Sequence, residues 1–281
     1  MAKKDVTQTK KTKAAEILDL ATDIEPKAKT GQKATGWQKK LIWAGLHCVG
    51  VLAAYYIVQY TAAFVLYFIY GDNLKSMAND PVFNTVVSAV VSAILLVVVL
   101  IIPWKAFKQK LSAKELGVNK WPSWTDILLS PAAFLVYMVG AALLTSVVSA
   151  LVPGFDVDQV QNIGYTADNL VQQSDYLLAF AALVVVAPVV EEVIFRGYLY
   201  GKLRSRLGIV LSMLLVSVLF GAAHGQWNVG VNVFVMSLVM CGLREITGSI
   251  WAGVLLHMLK NGIAYYLLFV NTSFLNSVVG G

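Results

Sequence analysis

Glu191, Glu192, Arg196, His224, His257 and Asn261 are the residues of this chain whose types and spacing could do chemistry. The first three share the apolar stretch 188–196, where an ionised side chain costs several kcal/mol and is a functional-site candidate by default. Between Tyr176 and Gly281 the only acidic residues are Glu191, Glu192 and Glu245, so the pair does not belong to a charged surface. Glu192 and Arg196 stand at i and i+4, a spacing that pairs them on one helix face, while Glu191 points about 100° away. The two carboxylates therefore take different parts. Arg196 holds Glu192 charged, and Glu191 faces a wet cavity as general base toward a water. Pro188 removes a backbone hydrogen bond just before the pair and so opens room for that water.

Two of the three histidines lie in apolar segments downstream of the carboxylates. His224 ends the run Phe220-Gly221-Ala222-Ala223-His224, whose small residues let neighbouring helices pack closely around it. His257 and Asn261 again have i, i+4 spacing and share a face. His47 has no polar partner nearby in sequence and reads as structural or interfacial. Taken alone, each histidine reads as a satisfied core residue and the Glu-Arg group as a buried ion pair that fixes packing. At about 1.5 Å per helical residue, Glu191, His257 and His224 sit roughly 18, 12 and 25 Å from the ends of their helices, depths that permit a shared site only with tilt.

The elements that must position these residues are membrane spans. Hydrophobic residues make up 58% of the 281 and charged residues 14%, which excludes an ordinary soluble globular domain. The expected fold is an all-α polytopic transmembrane bundle of about seven spans, six to eight, with a polar basic N-terminal tail. Residues 1–40 form that tail, with ten lysines against five acids, disordered or loosely helical and partly amphipathic over 14–20. It is no signal peptide, because the first apolar run begins only at Leu41. Residues 41–281 form the membrane domain, with spans expected over 41–70, 82–103, 126–152, 176–203, 207–223, 228–243 and 250–270.

The loop 105–120 carries five lysines and one glutamate, whereas 153–175 carries four aspartates and no Lys or Arg. The positive-inside rule then places the tail, 105–120, the cluster Lys202, Arg204 and Arg206, and Arg244 in the cytoplasm, with 71–81 and 153–175 outside. The net charge of +6 is read as topology and anionic lipid contact, not nucleic-acid binding. Cys48 and Cys241 both lie in apolar segments and read as buried thiols, not a disulfide or a zinc knuckle.

The constellation Glu191-Glu192-x-x-x-Arg196, then Phe220-x-x-x-His224, then His257-x-x-x-Asn261, each on its own apolar helix, resembles the CPBP family of intramembrane proteases. That family covers CAAX-processing and bacteriocin-processing or immunity proteases, together with the Ras-converting endopeptidases. The resemblance covers roughly 126–275. It implies that Glu191 and His224 activate water, that Glu192 and Arg196 support the site beside Phe220, and that His257 and Asn261 stabilise the oxyanion. Peptide hydrolysis needs a base, a positioned water and donors aimed at the developing charge, and these residue types supply them.

The function expected is therefore an intramembrane endopeptidase acting on a membrane-associated or lipidated peptide or protein, in peptide maturation or bacteriocin self-immunity. The expected location is the bacterial plasma membrane, in contact with lipid. Two other classes compete: a non-proteolytic scaffold or immunity regulator of the same fold, and a proton-coupled transporter using the intramembrane carboxylates as a relay. No cofactor is favoured. Zinc is the alternative, with Glu191, His224 and His257 as the ligands, although no His-Glu-x-x-His is present.

Overall fold

The computed structural model describes residues 36–271 apart from 107, 109, 110, 158, 160 and 162. Residues 1–35 of the expected tail, with the amphipathic stretch 14–20, lie outside the described residues. The helices that carry the site belong to the unit Lys40–Gly281.

Every described element is helical. Six helices are long and apolar enough to cross a membrane: α1 (Gly36–Met77), α2 (Pro81–Lys105), α4 (Trp124–Leu151), α5 (Gln173–Leu207), α7 (Trp227–Thr247) and α8 (Trp251–Val270). Beside them lie a shorter apolar helix, α6 (Ile209–Ala223), and a small helix, α3 (Ala113–Leu116). The all-α polytopic bundle is thus observed, with six long spans and α6 as a seventh, shorter one. Their apolar side chains stay largely uncovered on the outer surface, as lipid-facing helices require, because hydrocarbon is no worse a neighbour for them than protein. A helix satisfies most of its backbone polar groups internally, the condition for crossing hydrocarbon.

Local chemistry sets the helix ends. Asp80 caps α2, its Oδ1 accepting from the backbone N–H of Val82 at 2.7 Å and Phe83 at 3.1 Å, with Pro81 at the first turn. Reciprocal capping boxes start α3, between Ser112 and Glu115, and α4, between Ser123 and Asp126. The helix α1 is already formed at Gly36, the first described residue, so Trp37 to Lys40 belong to it ahead of the apolar run expected from Leu41. The helix α3 was not expected. It folds onto α5 where glycine leaves room: a Cβ at Gly197 would lie 3.0 Å from the Leu116 carbonyl oxygen, and one at Gly201 3.3 Å from that of Glu115.

Two ends of the bundle can be distinguished from its contacts. At the basic end, Arg204 of α5 forms a two-pronged pair with Glu245 of α7, one prong at 2.6 Å, and Arg244 donates to the Glu115 carbonyl at 3.0 Å. At the acidic end, the Asn84 amide of α2 donates to the Gly164 carbonyl at 2.6 Å, and the Tyr265 hydroxyl of α8 donates to the Tyr176 carbonyl at 2.8 Å.

Candidate active site

The helix α5 is not uniform. It widens into π-type turns over Ala181–Val186 and Val193–Leu199, leaving a short α segment, Ala187–Glu192, that carries the carboxylates. Such wide turns inside α-helices recur at functional sites because they redirect side chains without breaking the helix. The first follows from Pro188. In this register the Ala187 N–H reaches the Ala182 carbonyl, so the next donor would reach Leu183, and proline has none. The orphaned Leu183 carbonyl is taken by the Asn261 amide at 2.9 Å. Asn261 thus anchors α8 to the interruption that Pro188 makes.

Glu192 and Arg196 are both fully buried, and the Arg196 Nη1 donates to Glu192 Oε1 at 2.8 Å, the ion pair expected from the spacing. The guanidinium also lies over the Phe220 ring, 4.2 Å from its centroid, a stacked cation–π contact. Cys241 of α7 borders the same group. Glu192 Oε2 and the Nε and Nη2 of Arg196 have no hydrogen-bond partner among the described residues.

His257 of α8 sits between the two carboxylates. Its Nδ1 is 3.3 Å from Glu192 Oε1 and its Nε2 is 3.9 Å from Glu191 Oε2. A carboxylate only accepts, so the proton on this edge belongs to Nδ1 and the Nε2 edge is turned to Glu191. The approach depends on Gly253, one turn earlier: a Cβ there would lie 3.1 Å from Glu192 Oε2. Glu191 itself is 20% exposed and lines a cavity with Tyr55, Gln59, Val190 and Leu183.

His224 caps the end of α6. Its Nδ1 donates to the Phe220 carbonyl at 2.8 Å, which leaves Nε2 as the free lone pair. The Phe220 ring touches both histidines, with centroids 4.9 Å from His224 and 5.9 Å from His257. Glu191, Lys260 and His257 are the titratable groups near enough to act on His224 electrostatically. The helix α6 reaches this place by close crossing of α7: a Cβ at Gly221 would stand 2.8 Å from the Gly230 carbonyl oxygen.

The structure therefore brings Glu191, Glu192, Arg196, Phe220, His224 and His257 around one point, with Asn261 one helical turn beyond His257. Among the described residues, no group of three or more His, Cys, Asp or Glu side chains is arranged to hold a metal ion. Glu191, His224 and His257 are not drawn together as a zinc-ligand set in this geometry. Sequence reasoning missed Gly253, Tyr55 and Lys260. Lys260 carried a signal, a charge inside an apolar span next to His257. His47, expected to be structural, engages the Trp43 carbonyl at 2.9 Å and takes no part in this cluster.

Residues 173–263 match the type II CAAX prenyl endopeptidase Rce1-like family. The chain is 34% identical over 89 residues to an uncharacterized 24.3 kDa protein of Escherichia coli, covering 30% of this chain and 41% of that protein. It is 26% identical over 106 residues to the putative membrane peptidase YdiL of Bacillus subtilis (strain 168), covering 36% of this chain and 43% of that one. The chain thus spans less than half the length of these curated relatives. No solved structure matches.

Proposed function

We propose that this chain, whose residues 173–263 belong to the type II CAAX prenyl endopeptidase Rce1-like family within the CPBP membrane proteases, is an intramembrane endopeptidase acting through a glutamate-activated water. The observation that carries the reading is the position of His257 between Glu191 and Glu192, next to a cavity into which Glu191 projects.

In the proposed reaction a water in that cavity gives a proton to Glu191 while its oxygen attacks the scissile carbonyl carbon. The bare Nε2 of His224 accepts from the same water and helps to orient it. Negative charge moves onto the carbonyl oxygen, where the second N–H of the Asn261 amide and an N–H on His257 Nε2, present when both ring nitrogens carry protons between the two carboxylates, stabilise it. Glu191 then delivers its proton to the amide nitrogen, the C–N bond breaks, and a carboxylic acid and an amine leave. Arg196 and Glu192 hold His257 in place and keep to the dry side of the helix. The substrate class is a membrane-associated or lipidated peptide or protein segment, as in peptide maturation or bacteriocin self-immunity.

The test compares membrane peptides by mass spectrometry in cells carrying wild type or Glu191→Gln. Loss of specific cleavage products at unchanged expression is the expected result, and the cleavage in purified membranes should survive exhaustive removal of transition metals. Biological activity that persists in Glu191→Gln sinks the protease reading and leaves a scaffold. Gradient-coupled solute flux in proteoliposomes, lost with the same substitution, points to a transporter instead.

A further inference from the structure

The family match stops at 173–263 and assigns nothing to α1 and α2. On α2, Asn84, Ser88 and Ser92 recur at i, i+4 and i+8 in a helix otherwise built mainly of Val, Ala, Ile and Leu. That spacing stacks all three on one face. That face forms a wall of a cavity of about 370 Å³, together with Tyr55 and Gln59 of α1 and with Glu191 of α5. A volume of this size lies in the range of ligand pockets.

With Asn84, Gly164 and Tyr165 among its lining residues as well as Glu191, the cavity extends from the acidic end of the bundle to the carboxylate pair. At the acidic end the Asn84 amide donates to the carbonyls of Ala78 at 2.8 Å and Gly164 at 2.6 Å, and the Tyr165 hydroxyl meets Thr85 Oγ1 at 2.8 Å. Toward the basic end, Glu191 is followed by Arg196, Leu199, Tyr200 and Leu203, all buried, with α3 packed across Gly197 and Gly201. A separate cavity of about 380 Å³ at the basic end, around Lys202 and Glu245, contains neither carboxylate of the pair nor either histidine. Substrate that reaches Glu191 through the first cavity comes from the acidic end.

The lining chemistry selects what can lie there. Cleavage requires a carbonyl released from helical hydrogen bonding, and every main-chain N–H and C=O so freed needs a new partner away from water. A serine hydroxyl both donates and accepts, so a row of them serves a main chain of any sequence. No other described side chain engages the hydroxyl of Ser88 or Ser92. A lipid chain could fill the apolar part of the lining but would leave these hydroxyls without a partner. An apolar cavity of about 460 Å³ lined by Leu144, Val218, Trp227 and Phe234 lies elsewhere, between α4, α6 and α7.

From this placement we infer that the cavity is a substrate subsite: it binds an extended polypeptide main chain entering from the acidic end, with Ser88 and Ser92 as its hydrogen-bonding wall. The inference rests on the endopeptidase reading and adds the side of entry and the form of the substrate.

The experiment uses the full chain with Ser88→Val/Ser92→Val and Ser88→Thr/Ser92→Thr, and follows the peptides whose cleavage depends on Glu191. Valine and threonine add the same volume at each position, and only threonine keeps the hydroxyl. Two lost hydrogen bonds to bound substrate should slow cleavage roughly tenfold or more, and threonine should restore it. In parallel, Ser88→Cys is treated with a membrane-impermeant maleimide, native Cys48 and Cys241 being buried. It should react from the same face as a cysteine at Asp168, not from the face of one at Lys120. Wild-type cleavage by the valine pair, or labelling of Ser88→Cys only from the Lys120 face, overturns the subsite while the protease reading stands. If Glu191→Gln leaves the cleavage pattern of the membrane peptides the same as in wild type, the protease reading falls and the subsite with it.

Discussion

Arg196 carries a full charge with no exposed surface and a single carboxylate oxygen at 2.8 Å to balance it. The Phe220 ring at 4.2 Å supplies the remaining compensation through its negative face. Removing one partner of such a pair costs about 3–5 kcal/mol, because the other is left buried and uncompensated, whereas replacing both by apolar groups is close to neutral. Arg196→Met should therefore lower the thermal unfolding temperature in detergent sharply. Glu192→Met/Arg196→Met should recover most of that loss yet stay inactive, since His257 would lose the acceptor that fixes its Nδ1 proton. Recovery of cleavage in the double variant would mean that Glu192 has no part beyond neutralising the arginine. The i, i+4 pairing was legible in the sequence, because helix geometry alone dictates it. The partner of Asn261 was not, since the orphaned Leu183 carbonyl exists only through the wide turn before Pro188.

At the level of elements, the site exists because backbones come close at glycines. The helices α6 and α7 meet at Gly221 and Gly230, where a Cβ on the former would fall 2.8 Å from backbone oxygen. Backbone cannot rotate away as a side chain does, so Gly221→Val must part the helices and carry His224 with them. Overpacking of this kind costs roughly 1–3 kcal/mol, and cleavage should fall with the unfolding temperature. Gly242→Ala, whose Cβ would meet only the end of Met213 at 3.7 Å, should leave both unchanged. The spans themselves were legible to within a few residues, because a long apolar run has only one stable form in hydrocarbon. The helix α3 was not, being a four-residue piece held by its Ser112–Glu115 cap and by Gly197, which no periodicity announces. Ser88 and Ser92 went unnoticed for a similar reason: in sequence they are two small residues in a Val-rich helix, and only the placement of α1 turns their face into a cavity wall.

Across the whole molecule, charge and helix length set one direction. Lys114, Lys202, Arg204, Arg206 and Arg244 collect at the end where α5 and α7 finish, while Asp156, Asp168 and Asp175 collect where α5 starts. The helix α6 has 15 residues, about 22 Å at 1.5 Å per residue, and falls short of a hydrocarbon core of about 30 Å. His224 at its tip therefore stays at membrane depth. The turn beyond it is covered by the far loop: the side chains of Gln226 and Asn228 donate to the Gln159 carbonyl at 3.0 Å and 2.8 Å. Irregular backbone at such depth is tolerated only when protein satisfies it. The basic end is accordingly proposed to be cytoplasmic, with the N-terminus on that side. An epitope inserted next to Asp168 should then be removed by protease added to intact cells, while one next to Lys120 should be cut only after lysis. Because the six long spans and α6 make an odd number of crossings, a tag following residue 271 should be shaved along with the Asp168 epitope. A tag at that position that stays protected while the Asp168 epitope is lost would mean that an odd number of the four helices α5 to α8 complete the crossing, so that one of them stops short of the far side.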